Sequence, residues 1–299
     1  MAATKRTLDQ VSADGVKKLR PIGKPREAAG GIVVVGPGSK IRLKDIDAAG
    51  RPATSREEAS ETVETLRARL AELQQMLYAE HKRSLLMVVQ AMDTGGKDGA
   101  IKKICSGLDP NGVQLTNFKY PSSEEWDHDF LWRVHANAPR KGSIGIWNRS
   151  HYEDVLVPRV HKQITEDVWR ERCEDIVAFE RLLCRNGVTL IKFFLHISKE
   201  ESKDRLLRRL DKPDKLWKFK PGDIDSRADW GPLMQAFGDA LERCNTEAAP
   251  WYVVPADRKW YRNWAIMNIL VEQLEEMSLV WPAPDYDVEE QRQRLLASD

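Results

Sequence analysis

The stretch from Val88 to Lys102, read Val-Val-Gln-Ala-Met-Asp-Thr-Gly-Gly-Lys-Asp-Gly-Ala-Ile-Lys, leaves this chain few folds to choose from. An apolar run, Leu85-Leu86-Met87-Val88-Val89, feeds a glycine-rich turn, and helix-forming residues follow. The local reading is strand, loop, helix. In such a loop the glycines let backbone N–H groups converge on one anion, the helix N-terminus adds partial positive charge, and a lysine reaches the outer phosphates. The stretch departs twice from the usual G-x-x-x-x-G-K-[ST]. Ala91 stands in place of the first glycine, and Asp98 in place of the hydroxyl that meets magnesium. A tight connection alone would also explain a glycine-rich turn, but Asp93 weighs against it. A carboxylate beside bound phosphates is repelled unless a cation lies between them. The loop therefore implies a metal-bridged polyphosphate ligand.

Apolar segments and helical periodicities alternate along the rest of the chain. Ser55-Arg56-Glu57-Glu58 has capping-box form, and Val63, Leu66, Leu70, Leu73 and Leu77 then recur at helical steps. Strands are expected at Ser84–Val89, Val113–Phe118, Ser143–Trp147, Val188–Ile197 and Trp251–Val254. Helices are expected from the capping box Ser122/Glu125 through Val134, from Thr165 to Asn186 with a left-handed stop at Gly187, from Ser198, and around Trp264 to Leu270. With 299 residues and 41% hydrophobic content the chain can bury a full core. The expectation is one α/β domain over residues 45–299, built on a mostly parallel sheet of about five strands sandwiched by helices, with ligands at its C-terminal edge. Residues 1–44 hold ten Lys or Arg and three acids, and are expected to form a basic, largely disordered extension. Such an extension is either a solvated tail or an arm for a polyanion or a neighbouring subunit.

Two further clusters carry chemistry. The third strand delivers Asn148-Arg149-Ser150-His151-Tyr152-Glu153-Asp154 to the same edge as the loop. Adjacent carboxylates and an arginine there suit a second metal and phosphate station. Taken alone they would also suit an ion-paired surface turn. The basic run Arg205, Arg208, Arg209, Lys212, Lys215, Lys218 and Lys220 is interleaved with Trp217 and Phe219 in a segment broken by Pro and Gly. It reads either as a solvated face or as a mobile lid over phosphates, spanning about residues 205–230. Lys102 and Lys103, with Arg133 and Arg140, would continue a positive track beyond a nucleotide's few phosphates. His151 would bond a phosphate or a neighbour; no zinc spacing is visible among the six histidines.

The balance of 47 basic and 46 acidic residues hides the uneven distribution just described, and no apolar run approaches membrane-spanning length. No hydrophobic signal core opens the chain, and Cys105, Cys173, Cys184 and Cys244 form no C-x-x-C pair. A cytoplasmic protein with reduced thiols is expected.

With Ala91 to Gly99, Asn148 to Val155 and the basic lid in order, the chain resembles the second polyphosphate kinase family over about residues 40 to 285. Members use an aspartate-bearing loop with Gly-Lys-Asp, so the two departures fit the family pattern. The resemblance implies a P-loop, thymidylate-kinase-like fold and reversible phosphoryl transfer from inorganic polyphosphate to adenine nucleotides. It also implies Mg2+ as cofactor, with Mn2+ able to substitute. The Asn-Arg-Ser-His-Tyr-Glu-Asp form resembles the third class, which accepts AMP and ADP, and Glu153 is the residue associated with AMP. The site residues so implied are Asp93, Lys97, Arg149 and Asp154 as catalytic, with Asp93 and Asp154 holding the metal. Thr94, Gly95, Gly96, Asp98, Gly99, Asn148, Glu153, Arg208, Arg209 and Lys212 would bind phosphate or nucleotide, and Lys102, Lys103 and Arg133 would track the polyphosphate. A homo-oligomer, dimer or tetramer, is expected by the same analogy, with the Ser55 helix as one candidate surface. Two rivals are an ATP-dependent nucleoside monophosphate kinase, disfavoured by Asp98 and the excess of basic residues, and a non-catalytic polyanion binder, which leaves the carboxylates unexplained.

Overall fold

The apolar run ahead of the phosphate loop is the centre of the molecule: strand β3 (Ser84–Ala91) is buried along its whole length. The computed structural model describes residues 26–298. Before β3 come β1 (Arg26–Ala28), β2 (Ile32–Val35) and α1 (Arg56–Glu80). After it follow α2 (Lys97–Cys105), β4 (Val113–Asn117), α3 (Ser123–Trp126), α4 (Trp132–His135), β5 (Ile144–Asn148), α5 (Glu153–Val160) and α6 (Glu166–Arg185). The chain continues through β6 (Val188–His196), α7 (Lys199–Leu210), α8 (Gly222–Ala228), α9 (Trp230–Arg243), β7 (Trp251–Pro255), α10 (Lys259–Glu276) and α11 (Val288–Leu296).

Among the described residues the strands form one sheet in the order β1-β2-β7-β6-β3-β5-β4. The five strands from β7 to β4 run parallel, as the alternation of strands and helices predicted. From β3 the chain passes to the outer strand β4, returns to β5, then crosses to β6 on the other side of β3. Loops leaving β3 and β5 therefore open side by side at the C-terminal edge, where such a switch leaves a crevice. The register Val89↔Asn148 brings the phosphate loop and the Asn148–Asp154 motif level with each other.

Both faces of the sheet are covered. On one, Leu70 and Leu77 of α1, Ile101 of α2, and Ile266 and Leu270 of α10 pack on Leu85, Met87 and Ile191. On the other, Ile176 of α6 and Phe237 and Leu241 of α9 pack on Leu86, Trp147 and Phe194. Each fully buried large apolar side chain contributes roughly 1.5–3 kcal/mol, so the two layers hold β3 rigidly beneath its loop. The capping box of α1 is complete: Ser55 Oγ accepts the Glu58 amide at 3.2 Å and Glu58 Oε2 accepts the Ser55 amide at 2.9 Å. Thr165 caps α6, and Gly187 adopts φ +85° just beyond its end.

Three expectations meet the structure differently. The first is that residues 1–44 are largely disordered. Residues 1–25 lie outside the described residues, but β2 pairs antiparallel with β7, β1 pairs with β2, and Ile32, Val34, Val35, Ile41 and Leu43 are buried. Ile32-Val33-Val34-Val35 is a β-branched run that finds a partner on the open edge of the sheet. The second is a single helix after Ser122. Its capping box forms, but the helix ends at Trp126, and Asp129 Oδ1 takes the Leu131 amide at 2.9 Å, so the backbone turns before α4. The third is α1 as an oligomer surface: its apolar stripe packs on the core, Arg69 ties it to Glu275 of α10 at 3.0 Å, and its opposite face is exposed.

Candidate phosphate-transfer site

Sequence places a short, glycine-rich turn between a buried strand and a helix, and the backbone takes the shape this demands. Thr94 has φ +63° and Gly96 φ +92°, and the Gly95 amide donates to the Met92 carbonyl at 3.0 Å. Alternating hands of this sort turn successive N–H groups toward one point. Lys97, the first residue of α2, donates to the Ala91 carbonyl at 3.0 Å and so lies folded back over the loop. Burial, and then Arg149, lower its pKa below the ordinary lysine value. Asp93, Glu153 and Asp98 pull the other way, and bound phosphate would add to their counter-charge.

Gly96 is the position where glycine is obligatory. Its φ is left-handed, and a Cβ there would overlap Nη1 of Arg262. Gly38 also has positive φ, +73°, but nothing lies within 4 Å of its missing Cβ. Gly96→Ala is therefore expected to cost both backbone strain, about 1–3 kcal/mol, and a displaced arginine, while Gly38→Ala costs the strain alone. Urea unfolding of the two variants, with turnover of each, checks the difference; equal losses would remove the steric part.

The second motif meets the first at the sheet edge. Arg149, φ +63°, follows β5 directly, and its amide donates to the Val89 carbonyl at 3.1 Å. Its guanidinium stands 3.4 Å from Asp93 Oδ1 and 3.9 Å from Glu153 Oε2. Asn148 Nδ2 donates to Asp98 Oδ1 at 2.9 Å and to Asn117 Oδ1 at 2.8 Å. Glu153 also reaches the buried Gln90, whose amide, oriented to satisfy both its atoms, donates to Oε1 at 3.0 Å. Asp93, Lys97, Asp98, Asn148, Arg149 and Glu153 are thus assembled around one crevice.

Other expected site residues are placed differently. Asp154 is buried, and its Oδ2 accepts from Arg133 Nη2 at 3.1 Å; burial raises its pKa despite that partner. Its carboxylate is engaged with Arg133, whereas Asp93 stands open beside the loop. Arg133 is only 5% exposed, being held by Asp154 and by the Lys119 carbonyl at 2.8 Å, and it cannot line a polyphosphate track. Lys103 lies 3.8 Å from Glu64 of α1, turned from the loop, and Lys102 is exposed on the last turn of α2. In the lid, Arg209 is engaged internally with the Lys218 carbonyl and Asp223 at 3.2 and 3.3 Å; Arg208 pairs with Glu201 at 2.6 Å, and Lys212 is exposed.

Behind the loop sit residues that reading the sequence had missed or left outside the site. Arg205 Nη1 donates to the Thr94 carbonyl at 2.9 Å, and its Nη2 to the carbonyls of Ala256 and Asp257 at 2.6 and 3.0 Å. Ser202 Oγ lies 2.9 Å from Thr94 Oγ1 and accepts from Arg227 of α8 at 3.0 Å, which links the loop to the lid. Beneath the second motif, Lys192 Nζ donates to Glu180 Oε2 at 2.6 Å, to the Cys244 carbonyl at 2.7 Å and to Tyr152 Oη at 3.1 Å. Tyr152 Oη donates to Glu180 Oε1 at 2.7 Å, and His151 Nε2 lies 3.3 Å from the same atom. His151 is therefore a buried neighbour of Glu180, not a phosphate ligand. Burial raises the Glu180 carboxyl, but Lys192 and His151 outweigh it and hold it below its usual range.

Magnesium normally takes one or two protein carboxylates and completes its shell with phosphate oxygens and water. Asp93 fits that role: its side chain is 47% exposed beside the loop, with Arg149 at 3.4 Å its nearest cation. Among the described residues no group of three or more His, Cys, Asp or Glu forms an all-protein metal cage.

The parallel sheet, the glycine-rich loop with its lysine and the arginine beside it define a P-loop phosphotransferase. Comparison narrows the class. A model of the polyphosphate kinase 2 family matches residues 53–280. The chain is 46% identical over 253 residues, 84% of this chain and 95% of the other, to the AMP/ADP-polyphosphate phosphotransferase of Meiothermus ruber. It is 39% identical to the ADP-polyphosphate phosphotransferase of Rhodopseudomonas palustris, over 83% of this chain and 90% of that one. Polyphosphate kinase 2 of Arthrobacter aurescens superposes with a TM-score of 0.86 at 41% identity, covering 88% of this chain and 95% of that structure. The chain belongs to the polyphosphate kinase 2 family.

Proposed function

We propose that this protein transfers the terminal phosphoryl group of inorganic polyphosphate to adenine nucleotides, forming ATP from ADP and ADP from AMP, reversibly. The observation that carries the reading is the meeting of Lys97, Arg149 and Asp93 at one sheet edge, in a chain similar to enzymes named for this transfer. The loop amides of Thr94 to Gly99 cradle the donor phosphates, and Lys97 and Arg149 neutralise charge on the moving group. Asn148 and Asp98 fix each other beside it. Arg208 and Lys212 reach the phosphates from the lid, with Arg209 bracing the lid from within. Asp93 would hold magnesium, which when bound supplies charge neutralisation and orientation of the phosphates. Asp154 acts at one remove, fixing Arg133 and with it the Lys119 carbonyl. The acceptor is already an anionic phosphate oxygen, so no strong general base is needed and positioning supplies most of the rate.

Glu153, between Arg149 and Gln90, is placed to discriminate the acceptor. The test is nucleotide analysis after incubating the protein with magnesium, long-chain polyphosphate and either AMP or ADP. Products from both acceptors are expected; product from ADP alone would remove the AMP assignment, and activity only with ATP plus a monophosphate would overturn the donor. Glu153→Gln is expected to lower kcat/KM with AMP by roughly ten- to a hundredfold and with ADP by much less, the scale of one charged hydrogen bond. We also place the protein in the cytoplasm as a homo-oligomer; no helix among the described residues is long and apolar enough to cross a membrane.

A further inference from the structure

At the root of the lid, four cations meet one acid. Arg205 and Arg208 of α7 share Glu201 Oε1, at 2.8 and 2.6 Å. Next to them, where Arg205 meets the carbonyls of Ala256 and Asp257, α10 opens with Lys259 and carries Arg262 one turn later. Among the described residues neither has a carboxylate within salt-bridge distance, although Glu201 also acts on Lys259. Arg262 is 2% exposed, and its hydrogen bonds go to neutral oxygens: Asn263 Oδ1 at 2.7 and 3.1 Å, and the Gly95 carbonyl at 3.5 Å. Its terminal nitrogens face the loop, since a Cβ on Gly96 would overlap Nη1 and one on Gly99 would lie 3.6 Å from Nη2. Burial, then Arg205, pull Arg262 down to about 10, and burial, then Arg205 and Arg208, pull Lys259 down.

A buried cation without a counter-ion destabilises a fold, so its retention at the mouth of an anion site points to charge supplied by the ligand. Sheet order says which ligand. The motif with Arg149 and Glu153 follows β5 on one side of the loop, whereas α7 and α10 follow β6 and β7 on the other. In-line transfer brings donor and acceptor from opposite sides. The β5 side mixes carboxylates, amides and arginine, which suits a nucleotide. The β6–β7 side sets Arg205, Arg208, Lys259 and Arg262 around the single carboxylate of Glu201, a cationic excess that suits a chain of phosphates without base or ribose.

We infer that Lys259 and Arg262 of α10, with Arg208 of α7, form a second phosphate station that receives the polyphosphate chain as it leaves the loop. This rests on polyphosphate being the donor. It sends the chain over the α7–α10 junction and away from Lys102 and Lys103.

Steady-state kinetics of full-length Lys259→Ala test it; the side chain is exposed, so the fold is not at stake. The KM for long-chain polyphosphate is expected to rise roughly tenfold and to depend less steeply on salt, with the nucleotide KM and kcat within twofold of wild type. Lys102→Ala is expected to change none of these, and Arg262→Lys to retain more polyphosphate affinity than Arg262→Gln. An unchanged polyphosphate KM in Lys259→Ala, or a rise in the nucleotide KM instead, would overturn the station. A wild-type protein that makes no product from polyphosphate would fail at the donor assignment itself, a separable result.

Discussion

Lys97→Ala is expected to lower kcat by roughly two to four powers of ten while leaving the fold intact, the scale of removing one preorganised electrostatic catalyst. Lys97 is the cation folded over the loop, and its Nζ is held by the Ala91 carbonyl before any ligand arrives. Little reorganisation is then required when charge develops on the transferring group. Arg149 is an incomplete substitute, because it stands between Asp93 and Glu153 and its charge is already shared. Asp93→Asn is expected to fall in the same range, with part of its loss recovered by higher magnesium. The two variants separate in a magnesium titration of turnover. Wild-type turnover in Lys97→Ala would remove the lysine from the mechanism.

Lys192→Met is expected to destabilise the protein by roughly 3–5 kcal/mol, the cost of leaving Glu180 buried without its cation. Glu180 is inaccessible to solvent and would keep only Tyr152 and His151 as partners. Adding Glu180→Gln to Lys192→Met should restore a large part of the loss, because the stranded charge is gone. Urea unfolding of the single and double variants measures this directly. Equal destabilisation in both would mean that Lys192 acts by packing against Tyr152 and Trp251 and not by charge. Because Tyr152 belongs to the second motif, the same single variant should also lower kcat among molecules that remain folded.

What could be read in advance was whatever lay local in the chain. The phosphate loop, five parallel strands and most helix caps each carry their cause within a few residues, as Ser55 with Glu58 and Gly187 after α6 illustrate. The pairing of Asp154 with Arg133 joins residues 21 apart through a turn that sequence gives no reason to close, so both were assigned to open, ligand-facing roles. Arg262 was hidden because its helix reads as apolar core, and nothing in its spacing marks a contact with a loop 167 residues earlier. Lys192 was legible and passed over: a single lysine in an otherwise apolar, two-sided strand requires a buried acid somewhere. The β2 segment was masked by the basic residues around it, although four consecutive β-branched residues favour a strand.

The antiparallel cover that β2 and β1 lay on β7 has a consequence for the molecule in solution. Without it β7 would end the sheet, with its backbone amides and carbonyls open to another chain, the usual route by which an α/β protein aggregates. The chain closes that edge with its own N-terminal segment before the phosphate loop is reached. Successive strands lie about 4.8 Å apart, so β1, four places from β3, sits roughly 19 Å from the strand beneath the loop. Protection of the sheet and chemistry at its crevice are thus kept on separate flanks, and changes at one flank need not be felt at the other.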